Sequence, residues 1–244
     1  MNLDDTLRLQ QHPGTDPRPF TATITEIEGE SVRLDRTWFY PVGGGQPADH
    51  GHFTTDSETH EVIDVRGRGR IMHQMEGHDL EVGAQVEAMI DGQRRNTLSL
   101  MHTAQHLVSA HADILWSGRT VGNQIGVGRT RIDLEFPDRG AFDRQVLETA
   151  VNGSIEDDRD IRMSFVDREE LVDDPLVRVN MERMPADIER WRVIEIEGID
   201  RCPCAGTHVA STRLIPPIEI TRVKSKGKGR LRVEYETVQT EEID

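Results

Sequence analysis

Two short motifs about a hundred residues apart place the strongest constraint on how this chain can fold. His102-Thr103-Ala104-Gln105-His106 carries histidines at i and i+4, and Cys204-Ala205-Gly206-Thr207-His208 carries a thiol and an imidazole at the same spacing. Residues four apart on a helix share a face, so both imidazoles of the first motif can reach one ion. A thiolate and a third imidazole complete a tetrahedral shell. These ligand types suit zinc better than calcium or magnesium, which prefer oxygen. The segment around the first motif is otherwise apolar (Leu98, Leu100, Met101, Leu107, Val108), a setting that also suits ordinary core histidines. The second motif tips the balance, because the chain has only 2 cysteines and one of them has a histidine four residues on. The expectation is a fold in which His102, His106, Cys204 and His208 meet at one zinc ion. Four protein ligands describe a closed structural site, whereas catalytic zinc keeps three and an open position. The sequence leaves both open. Cys202, in Arg201-Cys202-Pro203-Cys204, is an alternative thiol ligand.

At 244 residues the chain has room for one large domain or two small ones. A hydrophobic fraction of 35% and a mean hydropathy of −0.57 allow a core under a strongly solvated surface. No apolar run approaches membrane-spanning length. Met1-Asn2-Leu3-Asp4-Asp5 lacks the basic and apolar regions of a signal peptide, which points to the cytoplasm. The cysteines flank Pro203, and a bridge that short would be strained. The formal net charge of −15 argues against nucleic-acid binding. Yet the basic residues are almost all Arg, and the only lysines are Lys224, Lys226 and Lys228. An acidic, lysine-poor composition fits a halophilic protein working in concentrated salt, or an acidic protein from an arginine-biased genome. Solubility in molar salt separates the two.

The pattern predicts an α+β fold in two parts. Residues 1–93 read as a β-rich domain, a small barrel or curled sheet, with strands at Phe20–Ile27, Ser31–Asp35, Gly51–Thr54, Glu61–Arg66, Arg70–Glu76 and Gln85–Ile90. Residues 94–244 read as helices on one side of an antiparallel sheet. Arg94–Trp116 is a long helix carrying the histidine pair, and Gly122–Phe136 a hairpin. Asp143–Ser154 is an amphipathic helix, and Glu169–Val172 a short one ended near Pro175. Ile161–Val166, Trp191–Ile196, Glu219–Lys224 and Arg230–Thr237 are strands.

Two further segments bear on function. Trp38-Phe39-Tyr40-Pro41-Val42-Gly43-Gly44-Gly45-Gln46-Pro47 contains three glycines that permit positive φ and close backbone approach to a phosphate or nucleoside. No Gly-Lys-Ser/Thr follows, so it is not a P-loop, and a plain turn remains the alternative. Its aromatic triplet reads as core rather than a stacking surface. Arg222 to Arg232 holds six cationic residues in eleven positions, around the glycine-bearing tip Ser225-Lys226-Gly227-Lys228-Gly229. In so acidic a chain this hairpin is the best place for phosphate contact, against the alternative of a merely solvated turn.

The motifs together resemble the free-standing alanyl-tRNA editing proteins (the AlaX group) and the editing domain of alanyl-tRNA synthetase, over nearly the whole chain. More broadly they are similar to the editing domain of threonyl-tRNA synthetase. His102-x-x-x-His106 matches the first zinc motif. Cys204-Ala205-Gly206-Thr207-His208 matches the second, where the family usually reads Cys-Gly-Gly-Thr-His. Phe39 to Gln46 looks like the glycine-rich motif of the longer, two-domain members, and Lys224 to Arg230 is also family-like. Val121-Gly122-Asn123-Gln124-Ile125-Gly126 resembles the strand that lines the amino-acid pocket. The resemblance favours Cys204 over Cys202 as ligand, and Asp200 and Arg201 are candidates for contacts behind the ligands. It implies one zinc ion per chain and a mischarged alanine tRNA as partner, met by Gly43, Gly44, Gly45, Lys224, Lys226, Lys228 and Arg230. The implied reaction is hydrolysis of Ser-tRNA or Gly-tRNA. Because no class II synthetase active-site segment is visible, it is editing without aminoacylation. A pocket built for alanine rejects glycine weakly, and size alone is a poor barrier to serine, so a second site must remove both. Sparing alanine requires a polar partner for the serine hydroxyl, with Gln124, Thr207 or the zinc itself as candidates.

Rival readings differ in class. A zinc hydrolase of small esters would be indifferent to tRNA and would not need the basic hairpin. A structural-zinc RNA-binding module would unfold without zinc and deacylate nothing. A trans-editing protein for threonine tRNA is disfavoured by the glycine-rich motif.

Overall fold

The computed structural model describes residues 12–56, 58–179 and 188–238; the segment Met1–Asp5 lies outside them. Six short strands close into an antiparallel barrel: β1 (Phe20–Glu28), β2 (Ser31–Leu34), β3 (Gly51–Thr54), β4 (Thr59–Arg66), β5 (Met72–Met75) and β6 (Gln85–Ile90), in the order β1-β2-β5-β4-β3-β6. Alternation places Phe20, Ala22 and Ile24 inward on β1, and Val86, Ala88 and Ile90 inward on β6. Closure leaves no unpaired edge to manage. The aromatic triplet is core, as its sequence suggests. Phe39 fills the barrel edge-on to Phe53 and His73, with ring centroids 5.8 and 5.2 Å away, while Trp38 stacks on Phe20 at 5.5 Å.

β6 passes into α1 (Gly92–Trp116) through Asp91 alone. The Asp91 side chain accepts a hydrogen bond from Arg94 N at 3.0 Å and so satisfies one of the free amides of the first turn. The helix ends at Ser117, in the left-handed region at φ 54°, followed by Gly118. A Cβ on Gly118 would lie 2.4 Å from the Phe136 ring.

The remaining described strands form two sheets, where the sequence suggested one. β7 (Arg119–Gln124), β8 (Thr130–Glu135), β12 (Ile218–Ser225) and β13 (Arg230–Thr237) pair in the order β12-β13-β8-β7. β9 (Ile161–Asp167), β10 (Arg190–Ile196) and β11 (Asp200–Pro203) pair in the order β11-β10-β9. α2 (Arg144–Glu156) packs on α1 and β12, and α3 (Arg168–Val172) packs on β9. The division follows from α1. Residues 101–108 are buried without interruption, so the helix has no solvent face there and takes partners on more than one side. It meets β7 and β8 of one sheet and β11 of the other. Tyr235 of β13, fully buried, donates to Met101 O at 2.7 Å and fixes the larger sheet on the helix. No helix of the described residues is long and apolar enough to cross a membrane.

Barrel and helix are also joined by a buried ion pair. Arg95, in the first turns of α1, donates from Nε to Asp49 Oδ1 at 3.0 Å and Oδ2 at 3.1 Å, and from Nη2 to Asp49 Oδ2 and to Trp38 O at 2.8 Å. Asp49 also accepts from Tyr40 N at 2.6 Å. The loop from Tyr40 to Asp49, which contains the glycine motif, is thereby closed at its base and tied to α1.

Candidate metal centre

Because its middle turns are buried, α1 presents His102 and His106 to protein rather than to water. β11 and the turn after it bring Cys204 and His208 over that helix. The ligand atoms of these four residues all lie within 4.8 Å of one another. Cys204 Sγ is 3.5 Å from His102 Nε2 and 3.4 Å from His208 Nε2. Donor atoms around a tetrahedral zinc, each about 2.0–2.3 Å from the metal, stand roughly 3.3–3.6 Å apart, so the cluster fits such an ion. Cys204 is the thiol of this group; Cys202 lies in a smaller set with His106 and Asp200.

The hydrogen-bond partners decide which ring nitrogen each histidine offers. His106 Nδ1 donates to Asp200 Oδ2 at 2.9 Å, and Arg178 holds the other oxygen of that carboxylate at 3.0 Å. Thr103 gives its only hydroxyl proton to Ser99 O at 2.8 Å, so it must accept from His208 Nδ1 at 3.1 Å. His102 Nδ1 lies 2.8 Å from Gln46 Oε1. The same oxygen accepts from Thr207 N at 3.0 Å, which fixes the amide orientation and makes His102 Nδ1 a donor. All three rings therefore keep a proton on Nδ1 and turn Nε2 toward Cys204. Burial opposes charge on Cys204, but His102 and His208 beside it hold its thiol well below the ordinary range. Burial also opposes a proton on His106, yet Asp200 and Cys204 hold its pKa up at about 10. A second proton on His106 would sit on Nε2, where a metal ion would displace it.

Gly206 explains the glycine of the second motif. A Cβ there would lie 2.1 Å from His102 Cε1, 2.3 Å from its Nδ1 and 2.9 Å from Gln46 Oε1. Ala205, where the chain departs from the usual motif, is exposed. Gly206→Ala is expected to push the His102 ring aside, to cost about 1–3 kcal/mol of overpacking strain and to lower bound metal. Metal analysis and thermal unfolding check this, and an unchanged metal content would contradict the close approach of Gly206 to that ring.

Of the other residues singled out in the sequence, Asp200 and Thr207 stand behind the cluster, while Gln124, the glycines and the hairpin cations are not gathered at it. Thr207 is buried; Gln46 Nε2 donates to its hydroxyl at 2.9 Å, and Ser99 Oγ lies 2.8 Å away. Gln124 is exposed at the end of β7, opposite Arg131. The preceding Asn123 faces α1, donating to Gln105 Oε1 at 3.2 Å, so alternation turns Gln124 to the other face of the sheet. Gly44 and Gly45 form the exposed corner of a tight turn seated against β7. Lys224, Lys226, Lys228 and Arg230 sit at the far end of the same sheet, where Arg230 pairs with Glu135 and Glu135 with Arg119. That row is about 15 Å along the strands from Gln124. The lysines are exposed and make no ion pair within the described residues, whereas Arg230 and Arg232 are neutralised by Glu135 and Asp133. Arg139 braces the tip, donating to Ser225 Oγ at 2.8 Å. Sequence reasoning missed Gln46, Ser99, Thr103 and Asn123. The first closes the glycine motif and the third sits inside the histidine motif, but no spacing marked either as a partner of a ligand.

The fold and the cluster define an α+β protein in which a barrel adjoins a buried three-histidine, one-cysteine centre. Residues 191–234 match the family model described as the threonyl and alanyl tRNA synthetase second additional domain, and residues 15–94 match class II (A) tRNA synthetases. The alanyl-tRNA editing protein AlaX-M of Saccharolobus solfataricus is 34% identical over 89% of this chain and 93% of its own length. That of Methanosarcina barkeri is 33% identical over 91% and 95%. An alanine–tRNA ligase of Halorubrum lacusprofundi is 32% identical over 88% of this chain, which spans 24% of the ligase. The chain belongs to the alanyl-tRNA editing protein family.

Proposed function

We propose that this protein hydrolyses, in trans, the aminoacyl ester of mischarged alanine tRNA, with serine and glycine as the acyl groups removed. One zinc ion per chain is held by His102, His106, Cys204 and His208. The observation that carries the reading is the cluster itself: three Nε2 atoms and a thiol sulfur converge, with each Nδ1 proton committed to a protein acceptor. Zinc, when bound, supplies Lewis-acid polarisation of the ester. The protein's share is orientation and exclusion of water. The three histidines are buried, while Cys204 is half-buried and Ala205 exposed, so the ester approaches from the Cys204 side. Thr207 serves the reaction from within, holding Gln46 and the turn between Cys204 and His208. Gln124, on the exposed end of β7, meets the bound aminoacyl-tRNA from the rim.

The working division is a barrel at 1–93 and an editing domain at 94–244. Both contact tRNA, through Gly43, Gly44 and Gly45 on one side and the hairpin cations Lys224, Lys226, Lys228 and Arg230 on the other. The three lysines supply most of that charge, since Glu135 already neutralises Arg230.

The test is to mix zinc-loaded protein with Ser-tRNA, Gly-tRNA and Ala-tRNA, all on alanine tRNA. Serine and glycine esters are lost and the alanine ester is spared. A folded, tRNA-binding protein that hydrolyses none of them would be a structural-zinc RNA-binding module instead. Replacing all three lysines by alanine weakens tRNA binding and lowers its salt slope by about 3, one for each ammonium taken away from a phosphate. Bound zinc stays unchanged, because the tip stands far from the cluster. An unaltered salt slope removes the hairpin from the tRNA interface.

A further inference from the structure

We infer that Gln46 of the barrel is a positioning residue for the metal, holding His102 in the tautomer and orientation that ligation requires, so that metal affinity in the editing domain is set from the N-terminal domain. The inference rests on the metal centre proposed above and goes beyond it, because it assigns a role to the side chain that ends the glycine motif.

Gln46 is fully buried, and three hydrogen bonds engage both ends of its amide. Oε1 accepts from His102 Nδ1 at 2.8 Å and from Thr207 N at 3.0 Å, and Nε2 donates to Thr207 Oγ1 at 2.9 Å. One side chain thus fixes both a ligand of the first motif and the backbone of the second. The position beside it is Gly206, which has no room for a side chain against His102 and Gln46.

The turn that delivers Gln46 is itself fixed. Gln46 N donates to Gly43 O at 2.9 Å and Gly43 N to Gln46 O at 3.1 Å, enclosing Gly44 and Gly45 at φ 58° and 85°. These are the left-handed values of a type I′ turn, which glycine adopts without strain. The Gly45 carbonyl accepts from Ile125 N at 2.8 Å, and a Cβ on Gly45 would lie 2.0 Å from Asn123 Oδ1. The glycines therefore allow the barrel loop to press against β7 closely enough for Gln46 to reach His102. Asp49, three residues on, anchors the loop to α1 through Arg95.

Removing the acceptor leaves a buried imidazole N–H unpaired and frees the ring to rotate or change tautomer. Loss of such a partner behind a ligand typically lowers metal affinity by about 10–100-fold. The test compares zinc affinity, by competition with a chromophoric chelator, for full-length wild type, Gln46→Met and Gln46→Glu, with thermal unfolding of each metal-free protein. Methionine fills the space but neither accepts nor donates, so affinity falls about 10–100-fold. Glutamate still accepts from His102 and Thr207 N, and affinity stays near wild type. A merely structural residue would shift metal-free unfolding in both variants and leave zinc affinity unchanged. Zinc held by Gln46→Met as tightly as by wild type overturns the inference, as does Gln46→Glu falling as far as Gln46→Met. A wild-type protein that binds no zinc would instead sink the metal centre, which keeps the two failures apart.

Discussion

Cys204→Ala is expected to abolish bound metal and to reduce hydrolysis of Ser-tRNA on alanine tRNA by more than about 100-fold, beyond the usual loss when only a partner behind a ligand is removed. Cys204 is the one donor of the four that ligates as an anion, and the other three ligate as imidazoles through Nε2. A divalent ion in this buried setting would keep its whole charge uncompensated once the thiolate is gone, which is costly in a low-dielectric interior. The loss also reaches stability. A ligand bound only by the folded state at a hundred times its Kd contributes about 2.7 kcal/mol, and the variant forfeits that contribution. Cys202→Ala is the control. Burial holds the Cys202 thiol well above its ordinary range, and the residue stands outside the group of four, so metal content and activity stay intact. Metal analysis, thermal unfolding and single-turnover deacylation read all three effects. A Cys204→Ala protein that lost its metal yet still deacylated Ser-tRNA would make the centre structural.

Asp49→Ala is expected to be the most destabilising single change outside the metal centre, at about 3–5 kcal/mol. The carboxylate is fully buried and takes hydrogen bonds from Arg95 and from Tyr40 N, so its removal leaves a buried guanidinium without its counter-charge. For a chain of this size that corresponds to a fall in Tm of roughly 6–20 °C. The penalty belongs to the stranded charge rather than to the value of the pair, so a second substitution, Arg95→Met, in the Asp49→Ala background recovers much of it. Urea titration of the two single variants and the double variant completes the cycle. A loss below about 1 kcal/mol, the range of exposed pairs, would mean that water reaches the pair. Because Asp49 also closes the base of the glycine loop, Asp49→Ala lowers zinc affinity in the same direction as Gln46→Met.

Much of this protein is legible in the chain itself. The barrel strands show as alternation in Phe20–Glu28 and Gln85–Ile90, and α1 as a long apolar helix with histidines one turn apart, because these patterns are set by local geometry. The four candidate ligands are legible for a similar reason: thiol and imidazole at i+4 are properties of short segments. β11 escaped notice because Asp200–Pro203 is only four residues long and carries the ligand motif's own signal rather than a strand's. A helix buried all round over 101–108 could not be told from an amphipathic one without its partners, so the second sheet went unread.

What the sequence by itself determined is the identity of most of the elements and of the candidate donors. What only the tertiary structure decided is how those donors are held. Gln46 reaches Thr207 across 161 residues and His102 across 56, Asp200 reaches His106 across 94, and Thr103 reaches His208 across 105. The same holds for the hairpin, where Glu135 and Asp133 cancel two of the six clustered charges. A hydrogen bond or ion pair between distant segments leaves no period and no spacing in the chain. It exists only once barrel, helix and sheets have packed, and that packing decides which polar groups are brought within reach of each ligand.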